Sequence, residues 1–327
     1  MKTLAKILHS NSGRILDAID RYIAKADDGL GKQLKKEGFA NPKKTVKAIS
    51  SLEETIAGIL AVQSGIFLAA AQDAAGIEEF RQAIDAILAS DTISESVKAA
   101  VLEMYEDQVP KLAAAYMKNY ESDLLVDTIR QRTQDHVEEW SEQLGELTRI
   151  STHEQLSKLI EDTITSGSSI QDLTRKILEG EWRNEYYQAK RLALTEVLRA
   201  HSISREEAIQ QSPATDRKEW VHTGGHKIAP RPNHVAMNGQ IVAKDQPFEL
   251  LGADGVTYYP RIPVDPNLPA GEAINCHCTH RGIVNDDILG MTLEERQAMQ
   301  QEIIENDDQE WLKELKQQSK AKAGIDI

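Results

Sequence analysis

"YYQAKRLALTEVLRAHSISREEAIQQSPATDRKEWVHT", residues 186–223, contains the point at which the chain changes architecture. Through Gln211 the stretch has neither proline nor glycine and is rich in strong helix formers, so it reads as one long helix. Pro213 ends that helix, because proline lacks a backbone donor and its ring clashes with the preceding turn. Directly after it, "KEWVHT" reads as a short strand.

Proline usage extends this reading to the whole chain. Only Pro42 and Pro110 precede residue 213, whereas Pro213, Pro230, Pro232, Pro247, Pro260, Pro263, Pro266 and Pro269 fall within 57 residues. Helix therefore dominates before 213 and cannot dominate from there to about 270. Upstream, Leu102, Tyr105 and Val109, then Leu124, Leu125 and Ile129, then Leu156, Leu159 and Ile160 recur at helical spacing. Thr92 with Glu95 and Thr152 with Gln155 read as capping boxes at helix starts, and Gly167 as a turn before Ser169 caps a helix through Leu178. Downstream, "GQIVA", "VTYYP" and "EAINCHC" are short strand-like runs bounded by turn residues. A further capping box, Thr292 with Glu295, opens a charged helical tail with Trp311 and Leu315 as its few anchors. The expected fold class is α+β: a mainly α-helical amino-terminal part, a small β-rich module and a carboxyl-terminal helix. The expected divisions are 1–150, helical; 151–290, with helices to 212 and the β-rich module over 213–285; and 291–327, the charged tail.

At 327 residues the chain has room for two domains, and its 40% hydrophobic and 5% aromatic content suits a helix-rich protein. A net charge of −14 argues against coating nucleic acid through bulk charge. The charge is uneven: residues 1–50 hold eleven Lys/Arg against five Asp/Glu, a net of +6. Lys32, Lys35, Lys36, Lys43, Lys44 and Lys47 are the candidate contacts there, to DNA or to an acidic partner, unless they are simply solvated. Thr55 to Gln72 is free of charge, but Gln63, Ser64 and two glycines interrupt it, so a buried helix or helix pair is expected and no membrane partner. Two cysteines make no disulfide scaffold, no secretory signal opens the chain, and a reducing cytoplasm is the expectation.

Both cysteines sit in "INCHCTHRG", residues 274–282. Strand alternation would set Cys276, Cys278 and His280 on one face, and His234 could bring a fourth donor, the set for a tetrahedral zinc. One residue between paired cysteines is closer than zinc sites usually have. The alternative is that both cysteines pack beneath the sheet while His234 bonds a loop carbonyl. His222, His226, His234 and His280 with Asn233 and Asn238 resemble a metal-dependent nuclease only superficially, since neither paired acidic ligands nor a helical histidine pair accompany them. A Cys–His thiol hydrolase lacks an orienting third group in the sequence. His222, His226, Lys227, Arg231 and His234 are also readable as a cationic loop meeting phosphates or an acidic partner. No catalytic residue is assigned, no enzyme activity is expected, and zinc is the one cofactor in question.

Four elements stand in order after residue 213: a tryptophan strand, Arg and His before a small-residue-Gly turn, a Pro-Phe pair, and a proline-rich approach to Asn-Cys-x-Cys. Here they are Trp220, Arg231, His234, Gly239, Pro247, Phe248, Asn275, Cys276 and Cys278. This order resembles the phage Mu protein F-like head morphogenesis family, the minor head proteins of tailed phages. "SGSSIQDLTRKIL" and the helix with Thr195, Glu196 and Arg199 also look like the family's, so the likeness covers roughly 150–285. His277 stands where the family commonly has Arg. The resemblance implies a non-enzymatic minor head protein acting in procapsid assembly or in DNA packaging and exit at the portal vertex. Its implied partners are the portal protein, then the major capsid or scaffolding protein, with weak DNA contact. Its implied location is the virion, in the head interior or at the portal vertex, and the host cytoplasm during assembly. The rival readings are a phage-associated nuclease or toxin module and a zinc-stabilised adaptor.

Overall fold

The computed structural model of the protein describes residues 29–90, 92–180, 185–223, 230–274 and 276–323. Its helical part runs α1 (29–36), α2 (Pro42–Asp73), α3 (Ile77–Ala89), α4 (Thr92–Met117), α5 (Gln131–Thr165), α6 (Ile170–Glu179) and α7 (Glu185–Gln211). The module that follows contains β1 (Thr215–Val221), α8 (Pro232–Ala236), β2 (Ile241–Ala243), β3 (Leu250–Leu251), β4 (Thr257–Tyr258), α9 (Ala270–Ala273) and β5 (Thr279–Val284). Two further helices, α10 (Asp286–Leu289) and α11 (Leu293–Ala323), complete an α+β fold whose amino-terminal part is mainly helical.

Several helix ends follow the sequence chemistry. Ser169 caps α6 in a reciprocal box with Asp172, and Gly180 closes it at φ 70°. Thr292 and Glu295 exchange the expected bonds at α11, Thr292 N to Glu295 Oε2 at 2.9 Å and Glu295 N to Thr292 Oγ1 at 3.3 Å. Thr152 and Gln155 do not start a helix. They lie inside α5, where the Thr152 hydroxyl donates to the Thr148 carbonyl at 2.9 Å. A hydroxyl with an amide three residues on also occurs in helix interiors, where the preceding turn already supplies the backbone partners. The same helix runs through residue 150, so the expected boundary at 150/151 falls within it. Thr55 to Gln72 belongs to the single helix α2, which is long and apolar enough to cross a membrane by length and composition. Its Ile56, Leu60 and Phe67 are buried in the cores of the bundle, while Val62 and Ile66 are exposed.

The largest core forms where α7 packs against α2 and α4. Ala189, Ala193 and Ala200 on α7 let it approach Ile56, Leu60, Val101 and Tyr105 closely. A second core joins Phe67, Phe80, Leu88, Leu156 and Leu173, and a third holds Tyr116, Met117, Leu124 and Ile209. The tail folds back on α5: Trp311 Nε1 donates to Asp135 Oδ2 at 2.7 Å, and the Arg132 guanidinium lies 4.7 Å from the Trp311 ring.

The strands form an antiparallel sheet in the order β2-β1-β5 and a separate hairpin, β3-β4. Trp220 pairs with His280 and Lys218 with both Val242 and Gly282. The expected strand over "EAINCHC" is not formed. Its start is the single turn α9, and β5 begins only at Thr279. Pro266 and Pro269 deny the approach a ladder donor, and Pro269 is pre-set for a helix start, so the chain turns before it extends.

Two histidines are buried uncharged. Burial, reinforced by Arg205, lowers the pKa of His201 from 6.5 to about 3. Burial lowers that of His280 from 6.5 to about 4 despite the opposing pull of Glu206. Between about pH 6.5 and 4 the unfolded chain therefore binds more protons than the folded one, so stability is fully present above this window and falls with the pH. Thermal melting should shift to lower temperature as the pH is reduced through this range. His201→Gln, which still offers hydrogen bonds to Thr45 and Tyr116, should flatten the slope; a melting temperature independent of pH would contradict the buried neutral state.

Candidate metal centre

The family-like residues converge where the end of β1, α8, α9 and the approach to β5 meet. Trp220 is wholly buried, with its ring edge-on to Phe248 at 5.2 Å and to His234 at 6.4 Å. Met237, Leu250, Val264, Leu268, Ala273, Cys276 and Cys278 complete this core. Gly239 adopts φ 83°, a conformation costly for residues with a Cβ, and its N–H donates to the Trp220 carbonyl at 2.9 Å. The Trp220 N–H donates in return to Gln240 O at 2.9 Å, so the turn after α8 hangs on the tryptophan strand. Phe248 N donates to Pro260 O at 2.8 Å, and Arg231 Nη2 to Ile274 O at 2.6 Å. Each of these residues thus fixes one loop against another.

His234 is buried on α8, a helix of only five residues with Pro232 at its start. Its Nε2 lies 2.8 Å from Glu272 Oε2 on α9. The other oxygen of Glu272 accepts from Asn233 Nδ2 at 3.1 Å and from Ala253 N at 2.9 Å. The carboxylate is therefore fixed, and it fixes the imidazole. On the opposite edge of the ring, Nδ1 lies 3.5 Å from Cys276 Sγ and 3.7 Å from Cys278 Sγ. Cys278 Sγ is also 3.6 Å from Nδ1 of His222, the residue just past β1.

These contacts separate the two thiols electrostatically. The adjacent Cys278 thiol and then the His234 ring hold Cys276 well below the usual thiol range, against the upward push of burial. Cys276 beside it, together with burial, pushes Cys278 up. Burial pulls His234 down, but Cys276 and Glu272 outweigh it and the net shift is upward. The cluster thus favours the charged form of Cys276 and of His234 and the neutral form of Cys278.

The sequence expectation is corrected at three points. Cys276 and Cys278 do not ride on a strand, so strand alternation is not what brings them together. His280 does not join them: it lies further along β5, with Nε2 3.1 Å from Glu206 Oε2 on α7. His222 takes the place expected for it beside Cys278. Nor does His234 bond a loop carbonyl, since its partners are a carboxylate and the sulfurs. Asn275, His226 and Lys227 lie outside the described residues. Glu272 was missed in the sequence, where its sole signal was a position one helical turn before Cys276. The six lysines are exposed on α1, on α2 and at its start.

The row Cys276–His234–Glu272 has the order of a thiol, a base and an orienting carboxylate. Its surroundings do not suit a nucleophile. Both thiols and His234 are buried, and two sulfurs converge on one ring nitrogen where a nucleophile requires one. A cavity of about 630 Å³ lies nearby, lined by Trp140, Glu196, Arg199, Leu268, Ala273 and Ile274 among others, but neither thiol lines it. The arrangement fits the closed centre of a fold better than a reacting one.

Residues 154–281 match the family described as Phage Mu protein F like protein. This region is similar to the phage Mu protein F-like family. The match covers the end of α5, α6, α7 and the module through the first half of β5, and so spans the helix break at Pro213. The match supports phage head morphogenesis as a general setting and a structural head protein as a general type. The chain is also 28% identical, over 307 residues, to the uncharacterized protein YqbB of Bacillus subtilis (strain 168), covering 91% of this chain and 99% of that protein. No solved structure matches it.

The core of the Mu F-like module should depend on its aromatic pair. Phe248→Ala removes a fully buried ring from contact with Trp220 and should cost about 3–5 kcal/mol. Denaturant melting followed by tryptophan fluorescence should show the loss. An unaltered midpoint would mean that the module is not folded around this pair.

Proposed function

We propose that the protein is a non-enzymatic minor head protein that docks on the portal and acts at the portal vertex, in procapsid assembly or in DNA packaging and exit. The observation that carries this reading is the union of the Mu F-like module with the helical body. Arg199 on α7 pairs with Glu196 beside it and donates to the Val264 carbonyl of the module at 2.8 Å. Glu206, also on α7, bonds Lys218 of β1 at 2.7 Å. A partner that grips the helices therefore holds the module at a set position. Exposed Val62 and Ile66 on α2, and Leu147 and Ile150 on α5, give the helical half apolar surface suited to a protein partner. The net charge of −14 disfavours free duplex as the main target, since duplex affinity comes largely from cationic contacts releasing counterions. Its place is then the virion, with assembly in the host cytoplasm.

Co-expression with the portal protein encoded beside it is the test. A complex that survives nuclease treatment is expected, whereas loss of the complex with the DNA would overturn the reading. The basic arm is tested by substitution, because deletion of residues 1–50 would remove the buried Leu34, Phe39, Val46 and Ile49. Changing Lys32, Lys35, Lys36, Lys43, Lys44 and Lys47 to Gln should abolish a weak, steeply salt-dependent DNA binding and leave portal binding intact. Equal DNA binding by both proteins would assign these lysines to solvent or to a partner.

A further inference from the structure

The strongest unassigned feature of the molecule is the convergence of two thiols on the His234 imidazole, with a second imidazole, His222, beside one of those thiols. A zinc ion with Zn–S bonds of about 2.3 Å and Zn–N bonds of about 2.0–2.1 Å sets each S···N edge of its tetrahedron at about 3.6 Å. Three S···N separations in the cluster are 3.5, 3.7 and 3.6 Å. The donor atoms of His234, Cys276 and Cys278 all lie within 4.8 Å of one another. Such spacing leaves room for an ion among these three donors, and His222 beside Cys278 would join them by turning toward it.

The surroundings support the same use. Metal-bound histidine characteristically directs its other ring nitrogen to a carboxylate, which fixes tautomer and orientation. His234 does this with Glu272, which the Asn233 side chain and the Ala253 N–H hold in turn. His222 is positioned independently of the thiols: its backbone N–H donates to Asn238 Oδ1 at 2.8 Å, and neighbouring Thr223 donates to His277 O at 2.9 Å. These bonds tie the exit of β1 to the cysteine segment. The objection from a single residue between the cysteines loses its force, because the pair follows the turn of α9 and is not held apart by a strand.

We propose that Cys276, Cys278, His234 and His222 bind one zinc ion that closes the Mu F-like module. Two thiolates and two neutral imidazoles favour zinc over harder cations, and four protein donors leave no open position for a substrate. Zinc binding displaces the protons these ligands carry, leaving two thiolates and two neutral imidazoles on the metal. The ion joins three segments of chain, the exit of β1, α8 and the turn after α9. Its role is structural, since metal affinity at such a site adds directly to folding.

The test uses the full-length protein. As isolated from zinc-containing medium it should hold close to one zinc per chain by elemental analysis. After chelation, Co²⁺ should restore the intense thiolate-to-metal charge-transfer and visible bands of a tetrahedral S₂N₂ site. This measurement needs no variant that risks misfolding. Glu272→Gln should weaken zinc about 10–100-fold, and His222→Ala at least as much, each read by competition with a chromophoric chelator. His280→Ala should leave zinc affinity unchanged. A chain that takes up no zinc after reconstitution, a cobalt spectrum of octahedral type, or a loss of affinity in His280→Ala but not in His222→Ala would each overturn the assignment.

Discussion

The buried carboxylates of α7 are the constraint on which the rest of the structure depends. A helix that carries Glu196, Arg199, Arg205, Glu206 and Glu207 would ordinarily lie on a surface, yet much of its carboxyl-terminal half is enclosed. An unpaired charge in that position costs several kcal/mol, so every neighbour of α7 has to bring a partner. Glu196 takes the Tyr105 hydroxyl at 2.7 Å and the Trp140 indole at 2.8 Å, as well as Arg199. Glu207 takes the backbone N–H of Arg130 at 2.9 Å, the Arg130 guanidinium and the Thr133 hydroxyl. Burial alone would raise the pKa of Glu206, but Lys218 and His280 hold it down at about 2.

Those partners come from different parts of the chain. Tyr105 is on α4, Trp140 on α5, Lys218 on β1 and His280 on β5. Arg205 reaches both sides at once, donating to His280 O at 2.7 Å and to Gly38 O at 3.0 Å. The polar contacts of α7 therefore specify how the helical body and the module sit together, a task that apolar packing alone performs with less selectivity. Replacement of one partner would leave its mate buried and uncompensated, which costs more than the pair contributes.

The module has far less apolar material than the bundle. Its core centres on Trp220 and Phe248, with the cysteines filling the space beneath them. Short strands and proline-rich loops give few ladder bonds, so side chains such as Arg231, Asn233 and Asn238 bond to backbone or carboxylate where strands would pair. A bound ion at the thiol–imidazole cluster would supply the closure that so small a core lacks.

The sequence by itself determined the class of the fold and its break. Proline placement and helical spacing locate the change after α7, because they act through neighbouring backbone and need no tertiary partner. It also determined the order of Trp220, Arg231, His234, Gly239, Phe248 and the two cysteines, which carries the family likeness. Only the tertiary structure decided which of those residues meet. Whether His280 or His222 stands beside the thiols depends on where β5 starts and on Glu206 of α7, which lies 74 residues before His280 and holds it. Glu272 became visible for the same reason: its contact with His234 spans 38 residues, a separation that no local pattern encodes. The misread start at Thr152 has the same origin, since the turn that satisfies its hydroxyl belongs to a helix begun at Gln131.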